Sequence, residues 1–194
     1  MSRPRKFDED DVVERAMEEF WTNGYAATSP ARLAEATGVA KGSLYNAFSS
    51  KRALFERCLD KYQQQIAKLA EGLMDHPGST RECLRDALRA VVNSDLAQAR
   101  RRGCLIGNTA VELAGDDPDL ARKIRKMQDE STAWFARRVE RGQREGDVRP
   151  DLDATAFAEQ MATTLAGLRV MAVTHEAESL YRVIDMALAA LQTS

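Results

Sequence analysis

The chain has 194 residues, enough for one large domain or for a small domain joined to a larger one. With 30% charged and 44% hydrophobic residues, few aromatics and almost no β-branched runs, its composition is that of a soluble globular protein built from helices. A formal net charge of -2 excludes a uniformly basic nucleic-acid coat and leaves room only for a local basic patch.

The first predicted helix runs from about Asp8 to Asn23, with Phe7, Val12, Val13, Ala16, Met17, Phe20 and Trp21 at helical spacing and acidic residues in its first turn. Asn23-Gly24 ends it. Ser29-Pro30 pairs an N-cap with proline at the first helical position and opens a short helix through Ala36, anchored by Leu33. Thr37-Gly38-Val39 is a tight turn, and Lys41 to Ala47 is a second short helix closed by Phe48. Ser50 then caps a long helix from Lys51 to about Gly72, with Leu54, Phe55, Leu59, Tyr62 and Ile66 facing inward. The short pair around Gly38 is a helix-turn-helix arrangement, in which one helix braces and the next is presented.

Asp75 to Thr80 reads as a linker. Helices are expected over about Arg81–Arg100, Cys104–Ala114 and, from the Asp117 cap and Pro118, as far as Glu145. Asp153 caps a further helix to about Ala172, and Glu178–Leu191 forms the last. The expected architecture is all-α with about nine helices: a helix-turn-helix domain over residues 1–50, a linking helix over 51–74, and a larger helical bundle over 75–194.

The presented helix carries groups suited to a nucleic acid. Lys41 sits at its start, where free backbone N–H groups also meet phosphate. Gly42 offers no obstruction, and Ser43, Tyr45 and Asn46 offer donors and acceptors. Lys51 opens the following helix, and Arg3, Arg5 and Lys6 form a short basic arm. Residues 1–62 hold 10 basic against 10 acidic side chains, yet seven of those acids fall between Asp8 and Glu19. The span Ala36–Ala53 has Lys41, Lys51 and Arg52 and no acid, so the presented face is basic while the unit is neutral.

Phe20-x-x-x-Gly24-Tyr25-x-x-Thr28, followed by Leu33-Ala34-x-x-x-Gly38-Val39-x-Lys41-Gly42-x-Leu44-Tyr45-x-x-Phe48-x-x-Lys51-x-x-Leu54, resembles the signature of the TetR family of one-component transcriptional regulators. The resemblance implies a homodimer, usually a repressor, whose reading heads grip double-stranded operator DNA and whose larger domain senses a small-molecule inducer. It also implies DNA-facing positions at Thr28, Lys41, Gly42, Ser43, Tyr45, Asn46 and Lys51. Two positions depart from the family pattern: Ala40 stands where a capping serine or threonine is frequent, and Asn46 where histidine is frequent.

In the larger domain, Arg102-Gly103-Cys104-Leu105-Ile106-Gly107-Asn108 resembles a segment of one TetR branch that includes electrophile-responsive regulators, where the matching cysteine can be the sensor. Three arginines before Cys104 and a helix start after it favour a thiolate. Inert packing of Cys104 and a non-covalent ligand contact stay open beside that reading. A ligand pocket between the middle helices would draw on some of Asn108, Met127, Trp134, Met161 and Leu165, while core packing, which needs no ligand, is the stronger reading for most of them. The resemblance places a four-helix dimer interface on the last two helices, through Phe157, Met161, Leu168, Met171, Tyr181, Ile184 and Leu188.

No nucleophile–base–orienter set, metal cluster or cofactor motif stands out, which argues against an enzyme. A helical protein-interaction module without DNA binding is the other alternative. Three cysteines (Cys58, Cys83, Cys104) outside any metal or scaffold spacing, no signal segment and no membrane-length apolar run lead to the expectation of a cytoplasmic protein without a membrane partner.

Overall fold

The computed structural model describes residues 7–74 and 77–191, the side chains of residues 73 and 74 excepted, and every regular element among them is helical. Two compact units divide the chain at Ile66 and Ala67.

The first unit begins with α1 (Glu9–Asn23), capped by Asp8, whose carboxylate accepts from the Asp10 amide. Its stripe of Val12, Val13, Ala16, Met17 and Phe20 is buried. Next, α2 (Pro30–Thr37) starts as its sequence dictates, with the Ser29 hydroxyl accepting from the Arg32 amide. Gly38 ends it in the left-handed region at φ 69°, where a Cβ would be strained. Then α3 (Lys41–Phe48) and α4 (Lys51–Met74) follow. Leu33, Leu44, Leu54, Phe55, Leu59 and Tyr62 close the core against α1. Phe20 and Phe55 meet edge to face at 4.8 Å, and Trp21 and Tyr62 do the same at 5.0 Å. A fully buried ring such as Phe20 or Phe55 contributes about 1.5–3 kcal/mol by burial.

The second unit holds the end of α4, α5 (Thr80–Ala97), α6 (Leu105–Leu113), α7 (Pro118–Glu145), α8 (Ala154–Met171), α9 (Ala177–Ala187) and a 3-10 turn over Ala189–Leu191. A capping box between Ser79 and Glu82 starts α5, which ends at Ala97 rather than running on to Arg100. Asp117 and Asp153 cap α7 and α8 by accepting backbone amides. The last helix is shorter than its apolar spacing suggested, because the chain tightens into the 3-10 turn to bury Leu191. Leu84, Leu88, Val92, Trp134, Phe135, Val139, Phe157, Met161, Leu168, Ile184 and Leu188 form the core between α5, α7, α8 and α9.

Candidate nucleic-acid interface

Leu44 and Phe48, one helical turn apart, turn the inner face of α3 into the core and leave 1% and 6% of their surface exposed. The opposite face of α3 is thereby turned outward. Lys41, Gly42, Ser43 and Asn46 are exposed and Tyr45 is half-buried. A Cβ built on Gly42 would meet no atom within 4 Å, so its face is open to whatever approaches from outside. Ala40 makes no side-chain cap, and its carbonyl accepts from the Leu44 amide at 3.0 Å.

The corner between α3 and α4 is unusual. Ser49 has φ 67° and ψ -43°, and the Ser50 amide donates to the Phe48 carbonyl at 2.8 Å across it. That is the strained γ-turn with positive φ, here on a residue other than glycine. Ser50 then caps α4, its hydroxyl accepting from the Ala53 amide at 3.0 Å. Lys51 follows with its ammonium 4.2 Å above the Tyr25 ring. Arg52 pairs with Glu56 at 2.6 Å along its own helix.

One expected contact residue is placed elsewhere. Thr28 is fully buried, its hydroxyl donating to the Gly24 carbonyl at 2.6 Å, so it shapes the turn after α1 and presents nothing outward. Arg3, Arg5 and Lys6 lie outside the described residues. Tyr25 stood in the sequence pattern as an aromatic without a role, and only the fold brings it to Lys51.

The residues singled out in the second unit fall on its core and its surface. Met127, Trp134 and Met161 are buried at 7% exposure or less, and the Trp134 indole donates to the Ala70 carbonyl at 2.7 Å. Leu165 packs half-buried against the same core. Asn108 is exposed, and its amide donates to the Arg102 carbonyl at 2.8 Å, tying the start of α6 to the segment before it. Met127, Trp134, Met161 and Leu165 therefore fill or flank the core, and Asn108 lies at the surface. Phe157, Met161, Leu168, Ile184 and Leu188, selected for a partner surface, are likewise core residues of the chain itself. Tyr181 is half-buried, with its hydroxyl on Asn93 and its ring 4.7 Å from the Arg89 guanidinium. Met171 is exposed, as are Val170, Val173, Val183 and Met186. Between α8 and α9 lies an open groove of about 450 Å³ lined by Gln160, Ser179, Arg182, Val183, Met186 and Ala187.

The cysteines differ sharply. Cys58 and Cys83 are buried, and burial pushes the Cys58 thiol far above its ordinary value, with the nearby Glu14 carboxylate adding to the rise. Cys104 is half-exposed at the start of α6, beside Gly107. Its segment is held from α8: the Arg169 guanidinium grips Asp95 through two hydrogen bonds of 2.8 and 2.9 Å and donates to the Gly103 carbonyl at 3.0 Å. Sequence reasoning missed this pair. The signal was an arginine in the apolar last turns of α8.

Residues 12–58 match the model of the bacterial regulatory proteins of the tetR family, and residues 82–188 match the tetracyclin repressor-like C-terminal domain. The chain belongs to the TetR family. It is 32% identical over 189 residues to the HTH-type transcriptional repressor ComR of Escherichia coli (strain K12), covering 95% of this chain and 88% of ComR. It is 30% identical to the uncharacterized HTH-type transcriptional regulator YezE of Bacillus subtilis (strain 168), over 98% of this chain and all of YezE. Among solved structures, a cysteine mutant of the TetR family regulator CifR complexed with 26-base-pair double-strand operator DNA superposes with a TM-score of 0.88 at 34% identity. That match covers 98% of this chain and 100% of CifR. This TetR-family member is thus an all-helical DNA-binding transcriptional regulator, and its relatives are regulators too. No helix among its described residues is long and apolar enough to cross a membrane.

Proposed function

We propose that this TetR-family protein is a homodimeric repressor that grips a palindromic operator through α3 and the start of α4 and leaves it when a small molecule binds the second unit. The reading rests on one observation above others: an acid-free face on a braced helix, with Lys41, Gly42, Ser43 and Asn46 exposed, Tyr45 half-buried among them and Lys51 beside it. Lys41, Lys51 and the Tyr45 hydroxyl are the phosphate contacts, and Ser43 and Asn46 face base edges. A full-length relative at 34% identity is seen on operator DNA, which supports the same use of the same fold. The partner surface is the outward apolar set Val170, Met171, Val183 and Met186 on α8, α9 and the ends between them, since an isolated chain would leave these in water. The protein works in the cytoplasm, where its DNA is.

Cys104, the half-exposed thiol at a helix start, supports an electrophile as the class of inducer. The deciding experiment is selection of genomic fragments by the purified protein. Enrichment of a palindrome with half-sites about one helical turn apart, or a multiple of it, is expected. Recovery of fragments without a shared sequence would refute the operator reading. Alkylation of Cys104 that releases the wild-type protein, and spares a Cys104→Ser variant, would fix the inducer class.

A further inference from the structure

We infer that Tyr25 is the positioning residue for Lys51, its ring acting as a fixed seat that holds the ammonium for the DNA backbone. The inference rests on the proposed role of Lys51 as a phosphate contact. It begins with the rigidity of the ring. Gly24, at φ 80°, turns the chain out of α1, and the Tyr25 carbonyl accepts from the Thr28 amide at 3.3 Å, so the backbone on both sides of Tyr25 is fixed. Phe20 stacks beside the Tyr25 ring at 6.0 Å and Phe55 lies tilted against it at 4.9 Å. Two core aromatics thus hold Tyr25 at the rim of the first unit, half-buried.

Lys51 is the residue set over that ring, with its ammonium 4.2 Å from the centroid, inside the range where the negative face of a π-system attracts a cation. Its backbone is equally determined. The γ-turn at Ser49 and the cap at Ser50 make Lys51 the first helical residue of α4, at the end of the helix where amide dipoles favour an anion. A lysine on a helix surface ordinarily spreads over many rotamers and loses that freedom when it binds. Here the ring removes much of that freedom in advance. Packing alone would ask only for an apolar side chain at position 25, whereas seating a cation asks for a π-face.

The test is a double-mutant cycle on the full-length protein with a duplex bearing the palindrome recovered by fragment selection. Tyr25→Phe keeps the ring face and should bind within about twofold of wild type. Tyr25→pentafluorophenylalanine keeps the shape and the packing but reverses the ring quadrupole, and should weaken binding about two- to fivefold per reading head. In a Lys51→Met background the fluorinated ring should cost nothing further. An equal loss in both backgrounds, or no loss in either, would overturn the inference. Lys51→Met by itself should lower the salt slope of binding by about one per reading head. An unchanged slope and affinity there would refute the phosphate role of Lys51, a failure distinct from that of the ring and one that removes the inference with it.

Discussion

Arg169 and Asp95 offer the sharpest test of how the second unit holds its candidate sensor segment. The pair joins the last turns of α8 to the end of α5 with exposures of 11% and 2%, and Arg169 also satisfies the Gly103 carbonyl next to Cys104. Arg169→Met would leave the Asp95 carboxylate buried without its cation and should cost about 3–5 kcal/mol in urea unfolding. Asp95→Leu should cost a similar amount for the opposite reason. The double variant removes both charges and takes from the Gly103 carbonyl its Arg169 donor, a penalty of about 1–3 kcal/mol. It should therefore be more stable than either single variant. Gly103 lies against the α8 backbone, since a Cβ there would come within 3.3 Å of the Arg169 carbonyl oxygen. All three variants should then speed hydrogen exchange and thiol alkylation in the segment around Cys104. Single variants costing less than about 1 kcal/mol, or a double variant costing the sum of the two, would refute the reasoning.

Three further outcomes follow from particular residues. Gly42→Ala adds a methyl that meets no atom and should raise stability by about 0.5–1 kcal/mol through helix propensity, while weakening operator binding; unimpaired binding would remove Gly42 from the contact face. Ser49→Gly relieves a positive φ at a strained turn and should raise the thermal midpoint, by about 1 kcal/mol of stability, and a fall in that midpoint would show the turn to be unstrained. Cys58 stays protonated in the folded chain well above the pH at which it ionises unfolded, so its contribution is complete below about pH 8.5 and is lost as pH rises beyond it. The wild type should lose about 1.4 kcal/mol per pH unit more than Cys58→Ala above that point, and parallel pH profiles would contradict the assignment.

The first unit was legible because its devices are local. Ser29-Pro30 and Gly38 each determine a cap or turn within a few residues, and Leu44 with Phe48 fixes which way α3 faces. Thr28 shows where local reading stops. Its hydroxyl turns inward to the Gly24 carbonyl, a choice made by the turn conformation and invisible to periodicity. Tyr25 and Lys51 are 26 positions apart in sequence, and only the packing of α4 on α1 brings ring and ammonium together.

The second unit was harder because α8 carries apolar residues on its outward side as well as its inward one. Phe157, Met161 and Leu168 point into the core, while Val170 and Met171 point out, and spacing alone gives no reason to prefer either set for a partner. On α9 the sequence did hold the answer. Leu180, Ile184 and Leu188 recur every four residues and are buried, which accounts fully for the inward stripe. Val183 and Met186 lie off that stripe, at 49% and 75% exposure, on a helix whose other outward positions include Glu178 and Arg182. An apolar residue off the core stripe of an otherwise amphipathic helix is the one that packing within the chain leaves unexplained. Val183 and Met186, with Val170 and Met171, make up the surface proposed above for a partner. For a regulator read as binding a palindrome, a second copy is the occupant that gives the protein the symmetry of its site.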